Sequence, residues 1–140
     1  MTLEELQRFI DQSPVQRELQ VRAADVAADT VHFTCRADAR HVGEEGGDVI
    51  HGGVLALLLD TAASFALIQA SGNDWATVDL RIDYLRPVGP GDLIVKATAV
   101  HVGRRIGRAT AELSGQGSGR PVAIATGTFT RLDRVLGAQP

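Results

Sequence analysis

The sequence predicts one α+β domain of 140 residues, in which a curved antiparallel sheet wraps around a single long helix. Three observations lead to this fold class. One stretch of helical length is apolar on nearly all sides, the pattern changes to period two after Trp75, and glycine- and proline-rich turns separate the later strands. Hydrophobic residue types make up 44% of the chain, which is enough for one core. We therefore expect a single domain over residues 1–140 with no linker.

The chain opens with a short amphipathic helix. Thr2 followed by Glu5 is a capping-box pattern, and apolar residues then recur at helical spacing. We predict this helix over residues 1–12, and Ser13-Pro14 should end it.

Two strands and a loop should follow. Leu19–Ala23 and Val31–Cys35 have strand character on either side of a turn-prone segment, and Arg40–Asp48 is polar and rich in glycine. Cys35 is the only cysteine in the chain, which excludes an internal disulfide. Since it falls on the apolar side of its strand, we expect a small core residue and not a reactive thiol.

The central helix is predicted over residues 51–70. A helix that is apolar all round must be surrounded. A single sheet covers only part of such a helix, so we expect either strong curvature of the sheet or a second subunit pressed against it. The apolar run Val54–Ile68 is shorter than the ~20 residues that span a bilayer and is interrupted by Asp60, so we expect no membrane span.

From Trp75 onward, residues alternate between two faces of a strand. The apolar side carries Ala76, Val78, Leu80, Ile82 and Tyr84, and the other side carries Thr77, Asp79, Arg81 and Asp83. Three more strands are predicted at Leu93–Val102, Arg108–Ser114 and Pro121–Arg131. Short turns between them imply an antiparallel meander.

Charge and motif spacing exclude several classes of function. The net charge is −3 and the basic residues are dispersed, so we expect no nucleic-acid partner. The first residues are acidic where a signal peptide would be basic, so we expect a cytoplasmic protein. The histidines show no metal-binding spacing, so we expect no metal site.

Asp60 is the strongest single anomaly. A carboxylate inside such an apolar helix loses hydration and must be paired, hydrogen-bonded or used in chemistry, for which it is a candidate general base. The alternative is an aspartate on the one polar stripe of the helix, beside Thr61 and Ser64, that bonds to a neighbouring strand. Periodicity alone leaves both interpretations open.

The turn His51-Gly52-Gly53 precedes the central helix. Two glycines leave the first backbone N–H groups open to a ligand, and the helix dipole would strengthen binding of an anion or of a carbonyl oxygen that gains negative charge. The alternative is that Gly52 and Gly53 only permit a tight turn, and that His51 caps the helix or packs.

Taken together, these features resemble the signature of a known family. The run His51–Ala62 resembles that of the hotdog-fold acyl-CoA thioesterases, in the phenylacetyl-CoA thioesterase-like branch. The similarity continues through Ala76–Pro87 and Ala125–Phe129, and it covers the chain from about Ser13 to Leu132. The resemblance implies a curved antiparallel sheet around the helix, assembly as a homodimer and often a homotetramer, and hydrolysis of acyl-CoA without a metal or organic cofactor.

The resemblance also assigns roles to individual residues. Asp60 matches the catalytic carboxylate, which acts as general base or, alternatively, as nucleophile. Gly52 matches the backbone donor to the thioester carbonyl, His51 the histidine that shapes the turn, and Thr77 a Ser/Thr position that helps hold the water. Family members commonly have Asn or Gln six residues before the histidine, where this chain has Glu45. A carboxylate there would repel an oxyanion, so either the loop has a different register or the backbone donor works alone.

Basic residues after the glycine turns are candidate anchors for the phosphates of coenzyme A, namely Arg86, Arg104, Arg105 and Arg108. Scattered arginines at strand ends are also common as solvated side chains. Two other functions remain open: a non-catalytic acyl-CoA binding protein on the same fold, and a hydratase that uses His51 with Asp60. The identity of the acyl group is not predicted.

The spacing of the candidate groups has a further implication. Gly52 and Asp60 are eight residues apart, which separates them by about 12 Å along a helix axis. A base and an oxyanion donor must both reach the same carbonyl carbon, and one straight helix cannot bring both to it. Two antiparallel central helices related by a twofold axis could do so. The sequence therefore predicts a site shared between two chains.

Overall fold

The computed structural model describes residues 1–132, so the last part of the predicted domain, 133–140, lies outside the described residues. Within residues 1–132, three α-helices accompany one six-stranded sheet. The helices are α1 (Leu3–Gln12), α2 (Pro14–Glu18) and α3 (Gly52–Ser71). The strands are β1 (Arg22–Val26), β2 (Thr30–Ala37), β3 (Trp75–Tyr84), β4 (Gly91–Val102), β5 (Ile106–Gly115) and β6 (Pro121–Arg131).

The N-terminal segment differs from the prediction in one element. The capping box of Thr2 and Glu5 starts α1 and Ser13 ends it, both as predicted, but Pro14 then begins a short second helix, α2, that the sequence analysis did not predict. Proline suits the first position of a helix, where its missing N–H has no partner to lose. The predicted strand Leu19–Ala23 is wrong in its first half, because residues 19 and 20 form the turn after α2, and β1 begins at Arg22.

The strand order is β1-β2-β4-β5-β6-β3, with every neighbouring pair antiparallel. The predicted meander is correct for β4 to β6 and wrong for β3, which pairs with β6 at the sheet edge. Pro87 and Pro90 lie in the segment after β3, where proline cannot donate to a strand ladder. This segment carries the chain from β3 at the edge of the sheet to β4 in its middle. The Val88 carbonyl accepts a hydrogen bond there from the backbone N–H of Ile50.

Helix α3 packs across one face of the sheet and contacts strands β2 to β6. Ten of its residues are buried, and Phe65 meets Phe33 of β2 edge to face with 5.8 Å between ring centroids. By length and composition α3 could cross a membrane, but here it is the core helix of the sheet. The sheet does not cover it all round. A stripe at three- and four-residue spacing is left partly or fully exposed, and consists of Gly53, Ala56, Leu57, Asp60 and Ser64.

A β-bulge divides β3 into two parts. The register with β6 shifts between Thr77 and Asp79, which leaves Val78 as the extra residue, 61% exposed. The bulge reverses the alternation of the strand. Thr77 therefore lies on the helix side, as does Leu80 beyond the bulge. The prediction that put Thr77 and Leu80 on opposite faces is wrong for this reason.

Candidate active site

The first turn of α3 is held by its own cap. His51 is the N-cap residue, and its Nδ1 accepts a hydrogen bond of 2.8 Å from the backbone N–H of Gly53. A Cβ on Gly53 would lie 2.9 Å from this nitrogen, so the close approach requires glycine. The expectation that both glycine N–H groups are open to a ligand is thus corrected, because His51 already occupies that of Gly53.

The backbone N–H of Gly52 remains open. Gly52 is the first residue of α3, and no acceptor for its N–H occurs among residues 1–132. Its carbonyl oxygen, in contrast, accepts a hydrogen bond of 3.0 Å from the hydroxyl of Tyr84. The Gly52 donor therefore lies at the positive end of the helix dipole, where it can bind an anion or a polarised carbonyl oxygen.

Asp60 lies two turns farther along α3 and is partly buried. Its Oδ1 accepts a hydrogen bond of 2.7 Å from the Thr77 hydroxyl, and its Oδ2 has no partner within the described part of the chain. This bond to a neighbouring strand is what the structural interpretation of Asp60 expected. It also brings together two residues to which the family resemblance assigns a shared role.

Tyr84 is a site residue that the sequence analysis missed. The prediction placed it among the apolar residues of β3 and gave it no role in the site. Its side chain is 54% exposed and lies beside Gly52, so a Cβ on Gly52 would be 3.3 Å from the ring. The order of the elements could have indicated its position. A strand that follows a helix and runs back along it places its last residues, here Tyr84, near the start of that helix.

Glu45 lies apart from the candidate site. It occupies the exposed tip of a tight turn in which Gly47 N–H bonds to the Glu44 carbonyl and Gly46 has a φ of 74°. The cavity beside Gly52, about 330 Å³ in volume, is lined by Glu44 and not by Glu45. Both explanations left open for this loop remain, because Glu44 also carries a carboxylate and supplies no side-chain amide beside Gly52.

The candidate phosphate anchors do not meet within one chain. Arg86 follows the end of β3, where its guanidinium donates to the carbonyl of Pro121. Arg104 and Arg105 lie in the β4–β5 turn, near the residues that pair with the start of β3. Arg108 lies on the outer face of the sheet, in a cavity that it shares with charged residues of β3.

An apolar groove of about 350 Å³ adjoins the capped turn. It is lined mainly by Val15, Leu19, Val54 and Leu57, with His51 and Gly53 at the α3 end. Arg40 closes part of its rim through ion pairs with Glu18 and Asp38. Hydrogen bonds from the Arg40 side chain lower the pKa of Asp38 to about 2, so this rim stays charged at neutral pH.

Residues 1–132 contain no group of three or more His, Cys, Asp or Glu that could hold a metal ion.

Comparisons with known proteins identify the family. The family model of the thioesterase superfamily matches residues 47–121. A putative esterase of Halobacterium salinarum is 45% identical over 76 residues, which cover 51% of this chain and 48% of that protein. A putative esterase of Haemophilus influenzae is 32% identical over 107 residues and 75% of both chains.

Two further relatives extend the match along the chain. The medium/long-chain acyl-CoA thioesterase YigI of Escherichia coli is 24% identical over 136 residues, 86% of this chain and 87% of that one. The crystal structure of zebra fish thioesterase superfamily member 2 superposes with a TM-score of 0.83 at 26% identity, and covers 93% of this chain and 98% of that one. The chain therefore belongs to the thioesterase superfamily, which confirms the expectation of a hotdog-fold enzyme of the acyl-CoA thioesterase class.

Proposed function

We propose that this enzyme hydrolyses acyl-CoA with Asp60 as general base, Thr77 as a partner for the attacking water and the Gly52 N–H as the donor to the thioester carbonyl. The observation that carries the proposal is the Asp60–Thr77 contact of 2.7 Å, on a stripe of α3 that the sheet leaves uncovered. Coenzyme A as the thiol is supported by the motif resemblance and by the name of the Escherichia coli relative.

The reaction follows from the hydrogen-bonding capacity of these groups. The Thr77 hydroxyl donates to Asp60 Oδ1, so its oxygen can accept from a water whose second proton faces the free Oδ2. Asp60 takes a proton as the water oxygen attacks the carbonyl carbon, and the Gly52 N–H stabilises the oxyanion that forms. Collapse of this intermediate breaks the C–S bond. Asp60 returns its proton to the departing sulfur, which leaves as the free thiol.

The active site is shared between two protomers in this proposal. Strand β3 is one of the two edges of the sheet, with Thr77 beside Asp60 toward one end and Tyr84 beside Gly52 at the other. Antiparallel pairing of two β3 edges about a twofold axis near Leu80 would bring Gly52 of one protomer toward Asp60 of its partner. The same pairing satisfies the open ladder of the edge strand and covers the exposed Val78.

The dimer also supplies sites for the two ends of the substrate. The turn with Arg104 and Arg105 would come to the same end of the double sheet as Arg86 of the partner, where the three guanidinium groups can bind phosphates. The apolar groove beside Gly53 can hold an acyl chain.

Hydrolysis of a panel of acyl-CoA thioesters, followed by released thiol, tests the proposal. Asp60→Asn keeps the shape of the side chain and removes the base, so turnover should fall by at least the ~10²–10⁴-fold typical of general-base loss. Asp25→Asn, an exposed position on β1 at the opposite edge of the sheet, is the matched control and should keep its rate. Binding of acyl-CoA without turnover of any member would instead indicate a binding protein, and an active Asp60→Asn would exclude Asp60 as the base.

A further inference from the structure

The two peptide groups that flank Gly52 are each held on the side away from the open N–H. The His51 carbonyl shares a peptide plane with the Gly52 N–H and accepts a bond of 2.9 Å from Val54. The next peptide is held at both edges: Tyr84 donates to the Gly52 carbonyl at 3.0 Å, and Gly53 N–H donates to His51 Nδ1 at 2.8 Å. Since glycine is the most flexible residue, these contacts set the direction of the Gly52 N–H.

Tyr84 is the one member of this set that comes from outside the loop and helix themselves. Packing within one chain does not explain its position, because its ring is 54% exposed there and fills no part of the core. Its ring also closes one side of Gly52, where a side chain would meet it at 3.3 Å, and leaves the N–H side open.

We infer that Tyr84 is a positioning residue for catalysis: its hydroxyl fixes the Gly52–Gly53 peptide and thereby aims the Gly52 N–H at the thioester oxygen. The inference rests on the proposed function, in which that N–H stabilises the oxyanion. The effect is geometric, because the bond is made to the carbonyl on the far side of Gly52 and does not polarise the donor itself. Oxyanion donors act mainly in the transition state, so their misalignment lowers kcat more than it raises KM.

Tyr84→Phe removes the hydroxyl and keeps the ring. We expect kcat to fall about tenfold, a part of the 10²–10³-fold that loss of a whole oxyanion donor costs, while KM stays within about twofold. Thr110→Val is the matched control, since it removes one hydroxyl from an exposed position on the outer face of β5 and should leave kcat unchanged. In glycine-labelled protein, the amide resonances of Gly52 and Gly53 should shift in Tyr84→Phe and stay in place in Thr110→Val.

The outcomes separate the two proposals. A Tyr84→Phe enzyme with wild-type kcat, or with unmoved Gly52 and Gly53 resonances, overturns the role of Tyr84 and leaves the proposed function standing. A Phe variant that fails to fold makes Tyr84 a structural residue and overturns it as well. A wild-type protein that hydrolyses no acyl-CoA removes the proposed function, and with it the inference.

Discussion

The Thr77 hydroxyl meets Asp60 because a single extra residue in β3 turns it toward α3. Thr77→Val keeps volume and β-branching but removes the hydroxyl, so the carboxylate and its water lose a partner. Loss of one hydrogen bond to a charged group should lower kcat about tenfold or more. Steady-state kinetics on an acyl-CoA thioester, with Thr110→Val as control, measure the effect. If KM rises while kcat holds, Thr77 is a substrate contact instead.

Cys35 is a buried core residue, as predicted, and its burial has a measurable consequence. It is 3% exposed, its Sγ lies 3.0 Å from the Leu19 carbonyl, and burial raises the pKa of its thiol to about 11. Because burial raises this pKa above 9.0, the ordinary value of a cysteine thiol, the protonated thiol is favoured in the folded state. Its contribution to stability is full below pH 9 and is lost between pH 9 and 11.

Alkaline unfolding curves of the wild type and Cys35→Ala test this assignment. The difference between the two free energies of unfolding should be constant below pH 9 and then change by up to about 2–3 kcal/mol as pH rises to 11. The wild type should lose stability relative to the variant over that range. A difference that does not depend on pH would contradict the raised pKa of Cys35.

At the scale of elements, the start of α3 depends on an unusual cap. His51 does what Ser, Asp or Asn does at most helix starts, and the interaction needs the missing side chain of Gly53. His51→Ala should therefore lower the free energy of unfolding by about 1 kcal/mol, whereas His51→Asn should keep most of it. Urea unfolding measures both. Equal loss in the two variants would mean that the imidazole matters through packing.

The sequence could predict those elements whose signal is local and periodic. The extent of α3 and β6 follows from uninterrupted patterns, and the capping box of α1 lies within four residues. The pairing of β3 with β6 could not be predicted, because it depends on which distant strand covers the edge. The bulge at Val78 was missed since one extra residue leaves the composition of the strand unchanged. The candidate residues could be named from the motif, whereas Tyr84 became visible only when the topology brought it to Gly52.

For the whole molecule, the central question is whether the site needs two chains. The helix is continuous from Gly52 to Ser71, so Gly52 and Asp60 of one protomer stay about 12 Å apart along its axis. Gly52→Pro removes the donor N–H, and the extended His51 backbone, with ψ of 131°, is compatible with a following proline. The exposed Tyr84 ring, 3.3 Å from the added Cβ, must shift by a few tenths of an ångström to admit it. Gly52→Pro and Asp60→Ala should each be nearly inactive when pure.

Refolding the two variants together tests the shared site. Random pairing makes half the dimers mixed, and each mixed dimer has one intact and one doubly defective site, so about a quarter of wild-type activity should return. Each variant refolded alone is the control. Mixed dimers that form but recover nothing would show that each chain holds a complete site, as would full activity in a monomer.

The bulge at Val78 has a consequence for how variation along β3 should be read. Before it, odd-numbered residues such as Trp75 and Thr77 face α3, and after it even-numbered residues such as Leu80 do so. Deleting Val78 would shorten the strand by one residue and restore its regular alternation. The residues after position 78 would keep their faces, and the Thr77 side chain would turn to the opposite face, away from the Asp60 carboxylate. Alignments of related chains should therefore keep a column for it, or residues with the role of Thr77 will be compared with residues that face solvent.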